Sequence, residues 1–107
     1  MNWARALNEK LSAGKAAQFV CRQESIAPLV PFGSLCEVSH FDKRTLKLGD
    51  VVLCRVASHH KLCQISFVLG HRVEVTNGAG DQKWAIKMSQ VTARLRILEE
   101  PLVACGM

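Results

Sequence analysis

The sequence predicts a compact, mainly β fold with one N-terminal α-helix. At 107 residues, the chain is long enough for one hydrophobic core but not for two. Apolar residues recur with a helical period only near the N-terminus, and short β-prone runs separated by turn residues follow. We therefore expect a single domain over residues 1–107, with a helix at 2–13, a β domain at 17–98 and a C-terminal tail at 99–107.

The helix is predicted from apolar residues at four-residue steps. Trp3, Leu7 and Leu11 fall on one face, Asn2 can cap the first turn, and Gly14 is a natural stop. This stripe is expected to pack on the rest of the domain. The helix has too little positive charge for a membrane-surface helix, so no membrane partner is expected.

Short β-prone runs follow the helix, and the strongest covers residues 51–56. Ser58-His59-His60 and Gly70-His71 are expected to be tight connections, and Asn77-Gly78 lies in the centre of a turn cluster. The predicted strands are residues 17–21, 35–38, 51–56, 62–68, 72–75 and 91–97.

Composition limits the classes of function. No apolar run approaches the roughly 20 residues that span a bilayer, and no secretory signal is visible. An odd number of cysteines without a CxxC pair argues against a disulfide framework and a zinc site, so we expect free thiols in a reducing cytoplasm. No phosphate-binding loop or carboxylate pair occurs, and no cofactor or metal is expected. The five cysteines are Cys21, Cys36, Cys54, Cys63 and Cys105.

The net charge of +5 is spread along the chain. The only dense basic patch combines Lys43, Arg44 and Lys47, and no known nucleic-acid-binding motif accompanies it. A solvated basic surface is the main expectation, and a basic nucleic-acid accessory protein is kept as an alternative.

The residues around Ser25 carry a family resemblance. Ser25-Ile26-Ala27-Pro28, then Gly33, then Gly49-Asp50-Val51-Val52 resemble the LexA/signal-peptidase superfamily of Ser/Lys peptidases. The family's nucleophile motif is Ser-Met-x-Pro followed by Gly, so Ser25 matches the nucleophile, Ile26 replaces the methionine, and Pro28 and Gly33 match.

Later residues extend the resemblance over roughly residues 19–97. Val75-Thr76-Asn77-Gly78 and then Trp84 are similar to a turn and a tryptophan in small stand-alone bacterial members. The resemblance implies a LexA/signal-peptidase-like β fold of the β-clip type. It also implies that homodimers can form through the β surface.

The sequence departs from the family at the general base. Active members carry a lysine on the returning strand of the hairpin, which deprotonates the serine. Here Leu62-Cys63-Gln64-Ile65 aligns with that segment, so Cys63 occupies the lysine position. A buried thiol lacks the reach and basicity of an amine. Lys61 is kept as an alternative base if a bulge brings it closer, and the nearby His59 and His60 are kept as well.

Glu24 is a second departure. Gln23-Glu24 stands where the family has a Gly-x pair, and a carboxylate there opposes the negative charge that an oxyanion hole must stabilise. If catalysis is lost, the groove formed by Glu24, Ile26, Pro28 and Gly33 remains available to bind a peptide.

The sequence thus predicts a catalytically degenerate, peptidase-like domain that binds a protein or peptide partner. The resemblance further suggests a bacterial mobile element as its source. A weakly active, self-cleaving Ser25 peptidase is the first alternative, and the basic nucleic-acid accessory protein is the second.

Overall fold

A computed structural model describes residues 3–101, which form one helix and a seven-stranded antiparallel sheet. The strand order is β1-β2-β7-β3-β4-β5-β6, so β1 and β6 are the edge strands. The predicted mainly β class with one N-terminal helix is confirmed. The elements are α1 (Trp3–Ser12), β1 (Ala17–Val20), β2 (Leu35–Ser39), β3 (Val51–Val56), β4 (His59–Leu69), β5 (Arg72–Thr76), β6 (Lys83–Lys87) and β7 (Val91–Glu99).

The expected tight connection at Ser58-His59-His60 was wrong. His59 and His60 belong to β4, where they pair with Val56 and Arg55, and the turn contains only Ala57-Ser58. The physical reason is that both turn residues adopt positive φ, 49° and 69°, which matches the twist of a two-residue hairpin.

Strand β6 was not predicted. Its exposure nevertheless alternates, with Trp84 and Ile86 facing inward and Lys83, Ala85 and Lys87 facing outward. It pairs along its whole length with β5. The sequence did not predict this strand, because only five residues alternate in exposure and a cluster of turn residues directly precedes them.

The sheet packs apolar side chains on both faces. The first cluster includes Leu53 and Leu62, and α1 and the segment between β1 and β2 cover it. The second cluster includes Val52, Cys54 and Cys63 and lies on the opposite face, because side chains alternate along a strand. Strands buried on both faces are apolar nearly throughout, which explains the continuous run in β3.

The helix docks on the first cluster as expected, since Leu7 and Leu11 are buried there. Its predicted cap, Asn2, lies outside the described residues. Of the predicted tail, Glu99 ends β7, whereas residues 102–107, including Cys105, lie outside the described residues.

Candidate functional site

Ser25 lies in a short 3₁₀ turn, Glu24–Ile26, on the loop from β1 to β2. Ile26 is fully buried in the first cluster with Leu53 and Leu62, and it anchors the turn to the sheet. Ser25 and Glu24 are exposed. The Ser25 side chain is therefore exposed to solvent, while the buried Ile26 side chain fixes the backbone of the turn to the sheet.

The Gln23 side chain ties this turn to β4. Its amide nitrogen donates to the Leu62 carbonyl at 2.9 Å, and its amide oxygen accepts from the Leu62 N–H at 2.9 Å. The same nitrogen donates to Ser25 Oγ at 2.9 Å. The Gln23 amide thus makes the two hydrogen bonds with the Leu62 backbone that a neighbouring strand would make. Ser25 Oγ is the acceptor of the third hydrogen bond.

Gly78 holds the turn from the other side. Its N–H donates to the Ser25 carbonyl at 2.7 Å. A Cβ at this position would overlap the carbonyl oxygens of Ile26 and Ala27, so only glycine fits. The Asn-Gly motif indicated a turn, but nothing in the sequence indicated that this turn docks on the serine segment.

The other residues of the predicted groove shape the loop. Pro28 is exposed and follows a cis Ala27–Pro28 peptide bond. Gly33 has a φ of 92°, which favours glycine, and its N–H donates to the Cys21 carbonyl at 2.7 Å. Their positions are thus explained by the chain reversal between β1 and β2.

The structure does not bring the alternative base to Ser25. Lys61 Nζ lies 4.4 Å from the centroid of the Trp84 ring, in a cation–π contact. Cys63 is fully buried in the second cluster, on the face of the sheet opposite Leu62 and Ile26. Within residues 3–101, no hydrogen bond or ion pair joins Ser25 to Lys61 or Cys63.

The histidines of the hairpin face a different neighbour. His59 is exposed, whereas His60 Nε2 lies 3.2 Å from the Asn8 side-chain nitrogen of α1. A surface cleft of about 420 Å³ opens there, and Arg5, Asn8, Glu9, Ser12 and His60 line it. Neither histidine has a hydrogen bond to Ser25 in the part of the chain that the structure describes.

Cys63 has a thiol neighbour instead of a serine. In the structure the Cys54 thiol donates to the Lys61 carbonyl at 3.7 Å. Hydrogen bonding with the neighbouring Cys63 thiol and burial both raise the pKa of Cys54. The pKa of Cys63 is lowered by the same hydrogen bond, against the effect of burial, and the Lys61 ammonium also favours its thiolate. The pair lies diagonally across β3 and β4, where Cys54 is opposite Lys61.

The basic patch is partly neutralised. Arg44 donates to Asp42 through Nε at 3.2 Å and Nη2 at 3.0 Å, and these bonds lower the pKa of Asp42 and raise that of Arg44. The Lys47 N–H donates to the Asp50 carboxylate at 2.9 Å. Of the three basic residues, Arg44 is thus paired with a carboxylate through its side chain, whereas Lys47 contacts Asp50 through its backbone.

No family model matches the sequence, and no curated protein and no solved structure matches it either. Among residues 3–101, no helix is long and apolar enough to cross a membrane. The same residues hold no group of three or more His, Cys, Asp or Glu side chains that could bind a metal ion.

Proposed function

We propose that this chain is a catalytically inactive, peptidase-like domain of the LexA/signal-peptidase type that binds an extended segment of another protein. The observation that carries the binding role is the open edge strand β6. An exposed strand edge presents unpaired N–H and C=O groups, and a peptide can add to it as a further strand.

The surroundings of Ser25 support an inactive site. A serine nucleophile needs a base that accepts its proton. Gln23 does not serve as that base, because its amide donates an N–H to Ser25 Oγ, and within residues 3–101 Lys61 and His60 contact Trp84 and Asn8 instead. The Gln23 amide is held in place by Leu62 through two further hydrogen bonds.

Four buried cysteines are free thiols, which supports a reducing cytoplasm as the place of action.

The backbone alternation of the sheet gives a sharp test of the binding role. In both edge strands, alternate residues turn their N–H groups away from the sheet, and Ala85 in β6 and Gln18 in β1 are such residues. Proline at either position removes no hydrogen bond of the sheet. Ala85→Pro blocks the β6 edge, and Gln18→Pro is the matched control on the β1 edge.

The experiment is a selection of randomised peptides displayed on phage against the purified protein. We expect selected peptides to bind the parent, the Gln18→Pro variant and a Ser25→Ala variant equally, and to lose binding to Ala85→Pro. Circular dichroism and thermal unfolding of each variant control for the fold. Peptides that bind Ala85→Pro as tightly as the parent would overturn the proposal.

The inactive site is tested separately with a fluorophosphonate probe at mildly alkaline pH. We expect no label on the parent protein, and no self-cleavage during long incubation. Labelling that disappears in Ser25→Ala would show instead that a Ser25 peptidase is present.

A further inference from the structure

We propose that the β6 edge binds an extended segment with a five-residue pattern. The first and last residues are acidic, the second and fourth are apolar, and the central residue is not acidic. This inference rests on the proposed function, because it names the partner that the open edge would take. The hydrogen-bond register, the charges and the neighbouring core each specify part of the pattern.

Two hydrogen bonds fix which backbone groups point outward. Met88 N–H donates to the His71 carbonyl at 2.8 Å, and Asn77 N–H donates to the Gln82 carbonyl at 3.3 Å. Hydrogen-bonded pairs alternate along an antiparallel ladder, so Trp84 and Ile86 bond inward to β5. The residues between them turn their backbone groups to the open edge.

These outward residues are Lys83, Ala85 and Lys87. The Lys87 N–H is already bonded to Gln90 Oε1 at 2.9 Å, which leaves its carbonyl for a guest strand. Lys83 and Ala85 offer both N–H and C=O. A guest strand would therefore pair directly with these three residues, and its facing side chains would lie on the same outer face.

The charges on that face define the ends and the centre of the pattern. Lys83 and Lys87 are exposed at the two ends of β6. Lys83 Nζ lies 3.8 Å from Glu74 Oε1, whereas Lys87 lies directly opposite a second cation, Arg72 of β5. A guest residue that faces Lys87 is therefore favoured as acidic, and one that faces Lys83 is favoured less, because it shares that lysine with Glu74. Glu74 lies opposite Ala85, so the guest residue facing Ala85 is disfavoured as acidic.

The other face of β6 defines the intervening residues. Trp84 is half-buried and Ile86 is 6% exposed, and both pack with the second cluster. Guest residues that alternate with the acidic ones would extend this cluster past its present edge. Burial of apolar surface favours β-branched or other apolar side chains there.

The same charges disfavour a second copy of this chain as the occupant. Antiparallel pairing of two β6 strands centred on Ala85 would place Lys83 of one copy opposite Lys87 of the other. Like charges directly opposite each other are destabilising. Charge complementarity therefore favours an acidic partner over self-pairing at this edge.

The test compares two labelled synthetic peptides that differ only in charge. Both have Ser-Gly flanks, and their cores are Glu-Val-Thr-Val-Glu and Lys-Val-Thr-Val-Lys. We expect the Glu peptide to bind about tenfold more tightly by fluorescence anisotropy, a ratio that corresponds to about 1.4 kcal/mol. Backbone amide shifts in an NMR titration should concentrate on β6.

Three variants separate charge from backbone effects. Lys87→Glu should weaken binding of the Glu peptide about tenfold, whereas Lys15→Glu, an equal charge change on an exposed residue outside the sheet, should not. Ala85→Pro should abolish binding of the Glu peptide. Because Lys87→Glu leaves the backbone intact, it tests the inference even if Ala85→Pro fails to fold.

The outcomes distinguish the inference from the function on which it rests. If displayed peptides require an unblocked β6 edge but show no preference for acidic ends, the acidic pattern is wrong and the binding function stands. Binding of the Glu peptide that survives Ala85→Pro would indicate general attraction of an anion and would overturn the inference. If neither display nor synthetic peptides bind the β6 edge, both proposals fail.

Discussion

At the scale of single residues, Gln23 and Gly78 explain how an exposed serine can stand on a fixed backbone. Gln23 pairs with the Leu62 backbone from one side, and the Gly78 N–H binds the Ser25 carbonyl from the other. Each contact joins residues far apart in the chain. The conformation of the serine turn therefore depends on the completed sheet.

The first prediction concerns the close approach at Gly78. We expect Gly78→Ala to lower the free energy of unfolding by about 1–3 kcal/mol, because the added methyl group overlaps carbonyl oxygens that belong to rigid backbone. Urea unfolding followed by tryptophan fluorescence measures the change.

Gly80→Ala is the control for this prediction, in the same turn. Gly80 has a φ of 78° but nothing within 4 Å of an added Cβ, so only conformational strain of about 1 kcal/mol is expected. Equal losses in the two variants would show that the packing of Gly78 on the serine turn contributes nothing.

The second prediction concerns Cys36, whose pKa is raised to about 11 by burial, with a smaller contribution from neighbouring Cys21. The ordinary value of about 9.0 applies to the unfolded chain. The folded state therefore holds this proton more strongly, and stability is retained below about pH 9 and lost as pH rises towards 11.

The measurement is urea unfolding under reducing conditions at several pH values across that range. Cys36→Ala removes the titrating group, so its stability should fall less steeply with pH than that of the parent, whatever its absolute stability. Parallel pH profiles for the two proteins would contradict the assignment.

At the scale of elements, the sequence predicts the structure best where the local pattern is strong. Strand β3 begins and ends at the predicted residues, because a β-prone apolar run follows a Gly-Asp turn. The sequence predicts β6 poorly, since only five residues alternate there and pairing with β5 stabilises them. Tertiary pairing outweighs local preference in such a short strand.

At the candidate site, too, the sequence predicts the local pattern but not the tertiary contacts. The sequence pattern placed Ser25 in an irregular segment after the first strand, and the structure has it in a 3₁₀ turn between β1 and β2. The hydrogen bonds from Gln23 to Leu62 have no sequence signature, because a glutamine side chain that pairs with a strand 39 residues away follows no period. The assignment of Cys63 to the position of a lost base remains a prediction from the resemblance.

The third prediction concerns the β3–β4 hairpin. Ala57 and Ser58 adopt positive φ, which costs residues other than glycine and asparagine about 1–2 kcal/mol each. Both are exposed, so Ala57→Asn with Ser58→Gly should raise the free energy of unfolding by about 1 kcal/mol. Thermal and urea unfolding measure the gain, and an unchanged or lower stability would show that these dihedral angles are not adopted in solution.

At the scale of the whole molecule, the positive charge is distributed and partly paired. Within residues 3–101, several cations bind carboxylates of the same chain, and one such pair joins Arg96 to Glu37 at 2.8 Å. Arg44 binds Asp42 at 3.0 Å, and Arg94 lies 3.7 Å from Asp50. Asp42 and Asp50 therefore accompany the basic residues of this segment, and the rest of the net charge of +5 is spread along the chain.

The fourth prediction follows from this distribution. We expect only weak, sequence-independent binding of duplex DNA at physiological salt, with an affinity that falls as salt rises because bound phosphates release counterions. Lys43→Ala with Lys47→Ala should change the salt slope no more than Lys10→Ala with Lys15→Ala, which removes the same charge at the end of α1 and just beyond it. Each lost phosphate contact reduces the slope by about 0.9, so anisotropy titrations at several salt concentrations can separate the two variants.

Two outcomes would favour the nucleic-acid alternative, since a dispersed charge cannot produce either of them. One is a much larger reduction of the salt slope in the Lys43 and Lys47 variant than in the control. The other is a complex that discriminates between DNA sequences at high salt.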